Sequence, residues 1–155
     1  MKRGIAYLLV LVVLFVVSGC MSNVTVLQPV EKGARLGIVQ FDECLAGNYN
    51  NCTGSGKVAT QIFSEVFGAP IVEKESSSNA ADFDVLLIGR VLEYNEAVPM
   101  AFRPNAAAVD VVIKRRIDGK TLITFHDSDT ANNLTGSPKR ILKGFAEDLK
   151  DAMGK

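Results

Sequence analysis

Three stretches of this chain carry residue types with chemical potential. His126, Asp127 and Asp129 bring an imidazole close to carboxylates, the donors that an acid–base pair or a metal ion requires. On an extended strand, however, His126 and Asp127 point to opposite faces, and only Asp127 and Asp129 share one. No loop of Asp, Asn and Gly in the calcium-binding pattern surrounds them. Asp42 and Glu43 follow an apolar segment, at the strand end where α/β sheets place ligands. As neighbours on a strand they diverge, so they do not form a paired-carboxylate device. Gly54-Ser55-Gly56-Lys57 invites comparison with a phosphate-binding loop, but Asn51 stands five residues before Gly56 and Val58 follows Lys57. The tight turn and the magnesium-binding hydroxyl are both missing. What remains there is weak anion binding at a helix N-terminus. The chain has no Gly-x-Ser-x-Gly elbow and a single histidine, so no serine or cysteine triad can be assembled. We expect no catalytic residue, no metal and no cofactor.

The 155 residues carry 17 basic and 17 acidic groups and are 48% apolar. The apolar content is concentrated at the start. Lys2-Arg3 is a basic head and residues 5–17 are an apolar run. A helix of that length reaches only about 20 Å, against about 30 Å for a hydrocarbon core, and so reads as a secretory signal rather than a span. Without it the net charge is close to neutral, which excludes nucleic acid as the main partner.

Val17-Ser18-Gly19-Cys20 closes the run, and this segment resembles the lipobox of bacterial lipoproteins, with Val17 in place of the commoner Leu. The resemblance implies a cleaved signal peptide over residues 1–19 and diacylglycerol on the Cys20 sulfur. It also implies a further acyl chain, such as palmitate, on the new N-terminus. Several acyl chains anchor stably where one is marginal. Met21 is not the aspartate of an inner-membrane retention signal, which favours an outer-membrane anchor facing the periplasm. Residues 20–33 then read as a lipidated tether and residues 34–155 as a single periplasmic domain.

Export leaves Cys44 and Cys52 as a pair in an oxidising compartment, most simply a disulfide. Free thiols are one alternative. Zinc is the other, although the C-x₇-C spacing and the lone His126 serve it poorly.

The elements that would position these residues are legible from periodicity. Residues 35–41 are a compact apolar strand. Residues 57–67 carry Val58, Ile62, Val66 and Ala59, Phe63 at spacing four, a helix stripe stopped by Gly68 and Pro70. Residues 71–72 make a brief strand, and residues 76–79 a loop or capped turn. Residues 84–93 are rich in β-formers, with a bulge or bend expected at Gly89. Asp118-Gly119 joins two strands. A three-residue loop of 117–119 with Gly119 left-handed pairs Ile113 with Ile123 and Val111 with Phe125, which gathers an apolar face. It sets Lys114, Arg116, Leu122, Thr124 and His126 on the other. Ser137 and Pro138 open a final helix with Ile141, Leu142, Phe145 and Leu149 as its stripe. The expected fold is α/β of the α+β kind: a mixed, largely antiparallel sheet of four to five strands with two main helices packed on one face.

This order, with the apolar stretch 81–89 ending in Gly89 and a long hairpin turning at Asp118-Gly119-Lys120, resembles a periplasmic domain. That domain is shared by the TolB amino-terminal region, CsgG, PelC and LpoB. The resemblance implies proteins that form rings or bind envelope partners, and it transfers no catalytic residue. We expect a non-catalytic, lipid-anchored interaction or assembly module, as a homo-oligomer or with an envelope protein. The apolar loop containing Tyr94, Met100 and Phe102 is the candidate contact. The alternative is a lipoprotein that binds a small ligand or metal near Asp42 and Asp127.

Overall fold

A computed structural model describes residues 23–45, 52–96, 104–131 and 136–154. The elements run β1 (Val24–Val26), β2 (Leu36–Val39), α1 (Ser55–Phe67), β3 (Ile71–Val72), a 3₁₀ turn (Ser78–Asp82), β4 (Val85–Asn95), β5 (Asn105–Arg115), β6 (Thr121–Ala131) and α2 (Pro138–Ala152). The six strands form one sheet in the order β1-β6-β5-β4-β2-β3. The β1–β6, β6–β5 and β5–β4 pairs are antiparallel, whereas β4–β2 and β2–β3 are parallel. The mixed sheet and two helices are as expected, but the strand count is higher. The extra strand comes from the tether: Val24 to Val26 pair with Phe125 to Ile123 instead of hanging free.

Both helices cover one face, where alternation directs the apolar side chains. Ile38, Leu87, Val91, Val109, Val111, Ile113, Ile123 and Phe125 meet Ala59 and Phe63 of α1 and Leu142, Phe145 and Leu149 of α2 in a single core. Phe125 and Phe145 pack edge to face with centroids 6.2 Å apart. α1 ends at Gly68 (φ 62°), and the Ser137 hydroxyl caps α2 by accepting from the Arg140 N–H at 3.2 Å. The Lys150 ammonium donates to the Val66 carbonyl at 2.7 Å and ties one helix to the other. On the opposite face a smaller cluster of Val39, Val72, Ala80 and Leu86 is closed by Phe83 at the 3₁₀ turn.

The hairpin register is the expected one at Ile113–Ile123 and Val111–Phe125, and Gly119 is left-handed (φ 66°). The pairing then shifts, with Lys114 opposite Thr121. That irregularity returns Leu122 to the helical side, where it is 2% exposed in the core, rather than to the polar face. The expected bend at Gly89 is also displaced. Gly89 stays paired with Val111, and the bulge falls at Leu92, between Val91 and Glu93. Gly89 is glycine because the Phe41 ring lies on it: a Cβ there would sit 2.2 Å from Phe41 Cε1.

Gly89→Ala is therefore expected to destabilise the fold by roughly 1–3 kcal/mol through overpacking. Gly144→Ala, in α2 with nothing within 4 Å of the added carbon, is expected to stabilise it by up to about 1 kcal/mol. Urea unfolding of the two variants beside the parent checks both signs.

Candidate functional site

The residues with chemical potential fall into three separate places. The first is the end of the sheet where β2 runs out. After Val39 the Phe41 N–H leaves the ladder to bond the Thr60 hydroxyl at 2.9 Å, and Asp42 rejoins β4 through Gly89 and Val91. Cys44 and Cys52 are disulfide-bonded with Cα atoms 5.3 Å apart, both buried, and close the loop that leads to α1. Glu43 and Gly54 decide what that helix end can do. The Glu43 carboxylate accepts from the Gly54 N–H at 2.8 Å, so the chain's own anion occupies the helix entry. Gly56 lies so close beneath the Phe41 carbonyl that a Cβ would be 2.4 Å from it. Gly56 thus serves packing, and Gly54 serves a left-handed turn (φ 79°) into the helix. Asp42 meets Arg90 at 3.4 Å, both largely exposed, at the rim of a shallow cleft of about 530 Å³. An exposed pair of this kind is worth little energetically.

The second place is the open half of the outer sheet face. His126 Nδ1 is hydrogen-bonded to Asp110 Oδ1, directly across from it on β5. Sequence reading grouped His126 with Asp127 and Asp129 and passed over Asp110. The register it proposed already held the signal, since the diagonal that pairs Val111 with Phe125 also pairs Asp110 with His126. Both side chains are about half exposed.

The third place is the helical side of β6. Asp127 stands opposite Val109 and shares its face with Asp129, away from His126. Asp148 of α2 approaches the pair. Burial above all, with help from Asp148 and Asp129 and against the Ser128 N–H, pushes the Asp127 carboxyl above its ordinary range. Among the described residues no three His, Cys, Asp or Glu side chains converge on a metal position.

The apolar contact loop is partly corrected. Tyr94 is 4% exposed and belongs to the core, because the bulge at Leu92 resets the alternation and turns Tyr94 toward Ala107. Burial, then Glu96, raises its phenol. Met100 and Phe102 lie outside the described residues, as does Cys20. The large apolar side chains that are exposed among the described residues are instead Val26, Leu27, Leu45, Ile71 and Ile117. None of these was singled out from sequence as a contact. The signal was weak, because a lone apolar residue at a sheet edge reads as core until the strand order is known.

The fold is similar to that of PelC from Paraburkholderia phytofirmans, solved as a dodecamer in two crystal forms. A PelC variant matches with TM-score 0.68 and 12% identity over 84% of this chain and 96% of that one. The second form gives the same values over 84% and 94%. A Xanthomonas campestris protein of the DUF330 family matches at TM-score 0.53 and 8% identity, over 81% and 90%. No protein-family model matches the sequence, and neither does any curated protein. The likeness to PelC named from the sequence holds at the level of fold.

Two measurements follow from these sites. Cys44→Ser with Cys52→Ser opens a short loop and is expected to lower stability by roughly 2–3 kcal/mol, read by denaturant unfolding against the oxidised parent. Asp127 is acidic with a raised folded pKa, so its contribution is fully favourable below the unfolded value of 3.8 and is lost as pH rises through the folded one. Asp127→Asn is therefore expected to raise the melting temperature at neutral pH, with the gain vanishing below pH 3.8. A gain that is independent of pH would contradict this assignment.

Proposed function

We propose that the chain is a lipid-anchored, non-catalytic module of the bacterial envelope that faces the periplasm and assembles with copies of itself. The observation that carries this reading is the fold-level likeness, over 84% of the chain, to PelC, a protein solved as a dodecamer. The lipobox-like Val17-Ser18-Gly19-Cys20 supplies the anchor. No helix among the described residues is long and apolar enough to cross a membrane. The disulfide between Cys44 and Cys52 suits an oxidising compartment. The chemistry-bearing residues support a binding rather than a reacting protein. Asp42 is matched with Arg90, Glu43 with a helix end, and His126 with Asp110, and among the described residues no three His, Cys, Asp or Glu side chains converge on a metal position.

Placement of the anchor sets the orientation. Only two residues separate Cys20 from Asn23, whose carbonyl accepts from the His126 N–H as β1 begins. β6 runs from the hairpin toward that end, so Asn95, Asn105, Ala131 and the starts of both helices lie on the anchored side. The Asp118-Gly119 turn lies at the far end, about 35 Å away along β6.

Expression of the full chain in a bacterial host with radiolabelled palmitate tests the reading. The expected result is a labelled chain in the outer-membrane fraction, and a detergent-extracted species several times the mass of one copy. Cys20→Ala is expected to abolish the label and release the chain from the membrane. An unlabelled chain in the periplasmic fluid would overturn the anchor, and a monomer at all concentrations would overturn the assembly.

A further inference from the structure

The sheet has two edges, and they match each other. One is β1, where Val26 is 49% exposed; the other is β3, where Ile71 is 49% exposed. Val26 stands opposite Ile123 and Ile71 opposite Ile38, and both of those are core residues on the helical face. Paired residues share a face. Each edge therefore carries one half-open apolar side chain on the same, helix-covered side of the sheet.

The backbone groups are also in phase. His126 N–H bonds the Asn23 carbonyl and Leu27 N–H bonds the Leu122 carbonyl, so Val24 and Val26 turn their amides and carbonyls away from β6. Ile38 N–H bonds the Pro70 carbonyl and Gln40 N–H bonds the Val72 carbonyl, so Ile71 turns its own groups away from β2. Direction completes the match. β3 runs with β2 and β4, and β1 runs against them through the antiparallel series β4–β5–β6–β1. A second copy set beside the first in the same orientation brings its β1 antiparallel to β3. It also seats its Val26 against Ile71, between α1 of one copy, which flanks β3, and α2 of the next, which flanks β1.

Resting on the self-assembly reading above, we infer that copies associate head to tail, β3 of one against β1 of the next, with Ile71 and Val26 closing the contact. Such a contact joins two different surfaces. It repeats from copy to copy, into a ring where the rotation closes, and does not stop at two, as a contact of like with like would.

The test uses the full lipidated chain extracted in detergent, with masses read by native mass spectrometry and folding followed by circular dichroism. The parent is expected to exceed a dimer, and Ile71→Lys and Val26→Lys each to be monomeric. Mixing the two variants leaves one intact pair of edges, so a dimer and nothing larger is expected. As a second arm, the double variant Ile71→Cys with Val26→Cys is expected to give a covalent ladder on oxidation. Each single-cysteine variant is expected to give no covalent dimer. Full-size oligomers in both lysine variants, or a covalent dimer from one single-cysteine variant, would overturn head-to-tail edge pairing and leave self-assembly standing. A parent that is monomeric throughout would overturn both. If a lysine variant unfolds, the ladder alone decides, and its absence counts against the pairing.

Discussion

The seat of Phe41 holds the two halves of the molecule together. Its ring lies on Gly89 of β4 and stacks at a tilt on Phe63 of α1, centroids 4.8 Å apart. Its amide is removed from the β-ladder by the Thr60 hydroxyl, which in turn donates to the Gly56 carbonyl at 2.7 Å. One residue thus ties strand to sheet, sheet to helix, and the helix to its own first turn. An aromatic ring cannot share that space with a Cβ, so the site demands glycine in the middle of a strand, where glycine is otherwise unfavourable. The chain then leaves the sheet beside this seat. The disulfide, the Glu43 cap and the start of α1 all follow within a few residues.

Much of this was readable from residue types, and the parts that were not have physical reasons. Helix stripes at spacing four and the Ser137-Pro138 start report on a local period. α2 buries the expected Ile141, Leu142, Phe145 and Leu149, while α1 begins two residues early and buries Ala59 and Phe63 with Val58, Ile62 and Val66 half-covered. The hairpin register also follows from a face that must stay apolar. Irregularities break such inferences. A single shifted pair sends Leu122 into the core, and the bulge at Leu92 does the same to Tyr94. Neither is encoded by alternation, because a bulge is set by what lies across the sheet. Gly89 illustrates the same limit. Its residue type announced an exception, but the cause, the Phe41 ring, lies 48 residues earlier in the chain. The three residues of β1 are too few to show a period, and only their partner strand identifies them.

The outer face of the sheet is divided. The β2–β3–β4 side is covered by the 3₁₀ turn and Phe83, while the β5–β6–β1 side presents Asp110, Thr124 and His126 to solvent. A solvated antiparallel face is ordinary. Among the described residues, the chain itself completes burial over the broad faces and leaves it open at the rims. The exposed aliphatic residues accordingly collect at strand edges, at the hairpin tip and beside the disulfide, rather than on the broad face. A surface of this kind suits lateral contacts better than a ligand that must be enclosed.

An edge of two or three residues is a poor adhesive in free solution. Short edge strands are a common way of preventing sheet-to-sheet association. Anchoring changes that balance. On the proposed reading, in which Cys20 carries lipid, β1 starts four residues after the anchor and would lie within about 15 Å of it. All copies would then share one orientation and move in two dimensions. Part of the rotational and translational cost of association is met before any contact forms, and the effective concentration of neighbours rises accordingly. Two aliphatic side chains and a few backbone hydrogen bonds per contact, repeated around a closed ring, then become sufficient. On this proposal the lipid on Cys20 and the short β1 act together, the anchor supplying the proximity that so short an edge needs.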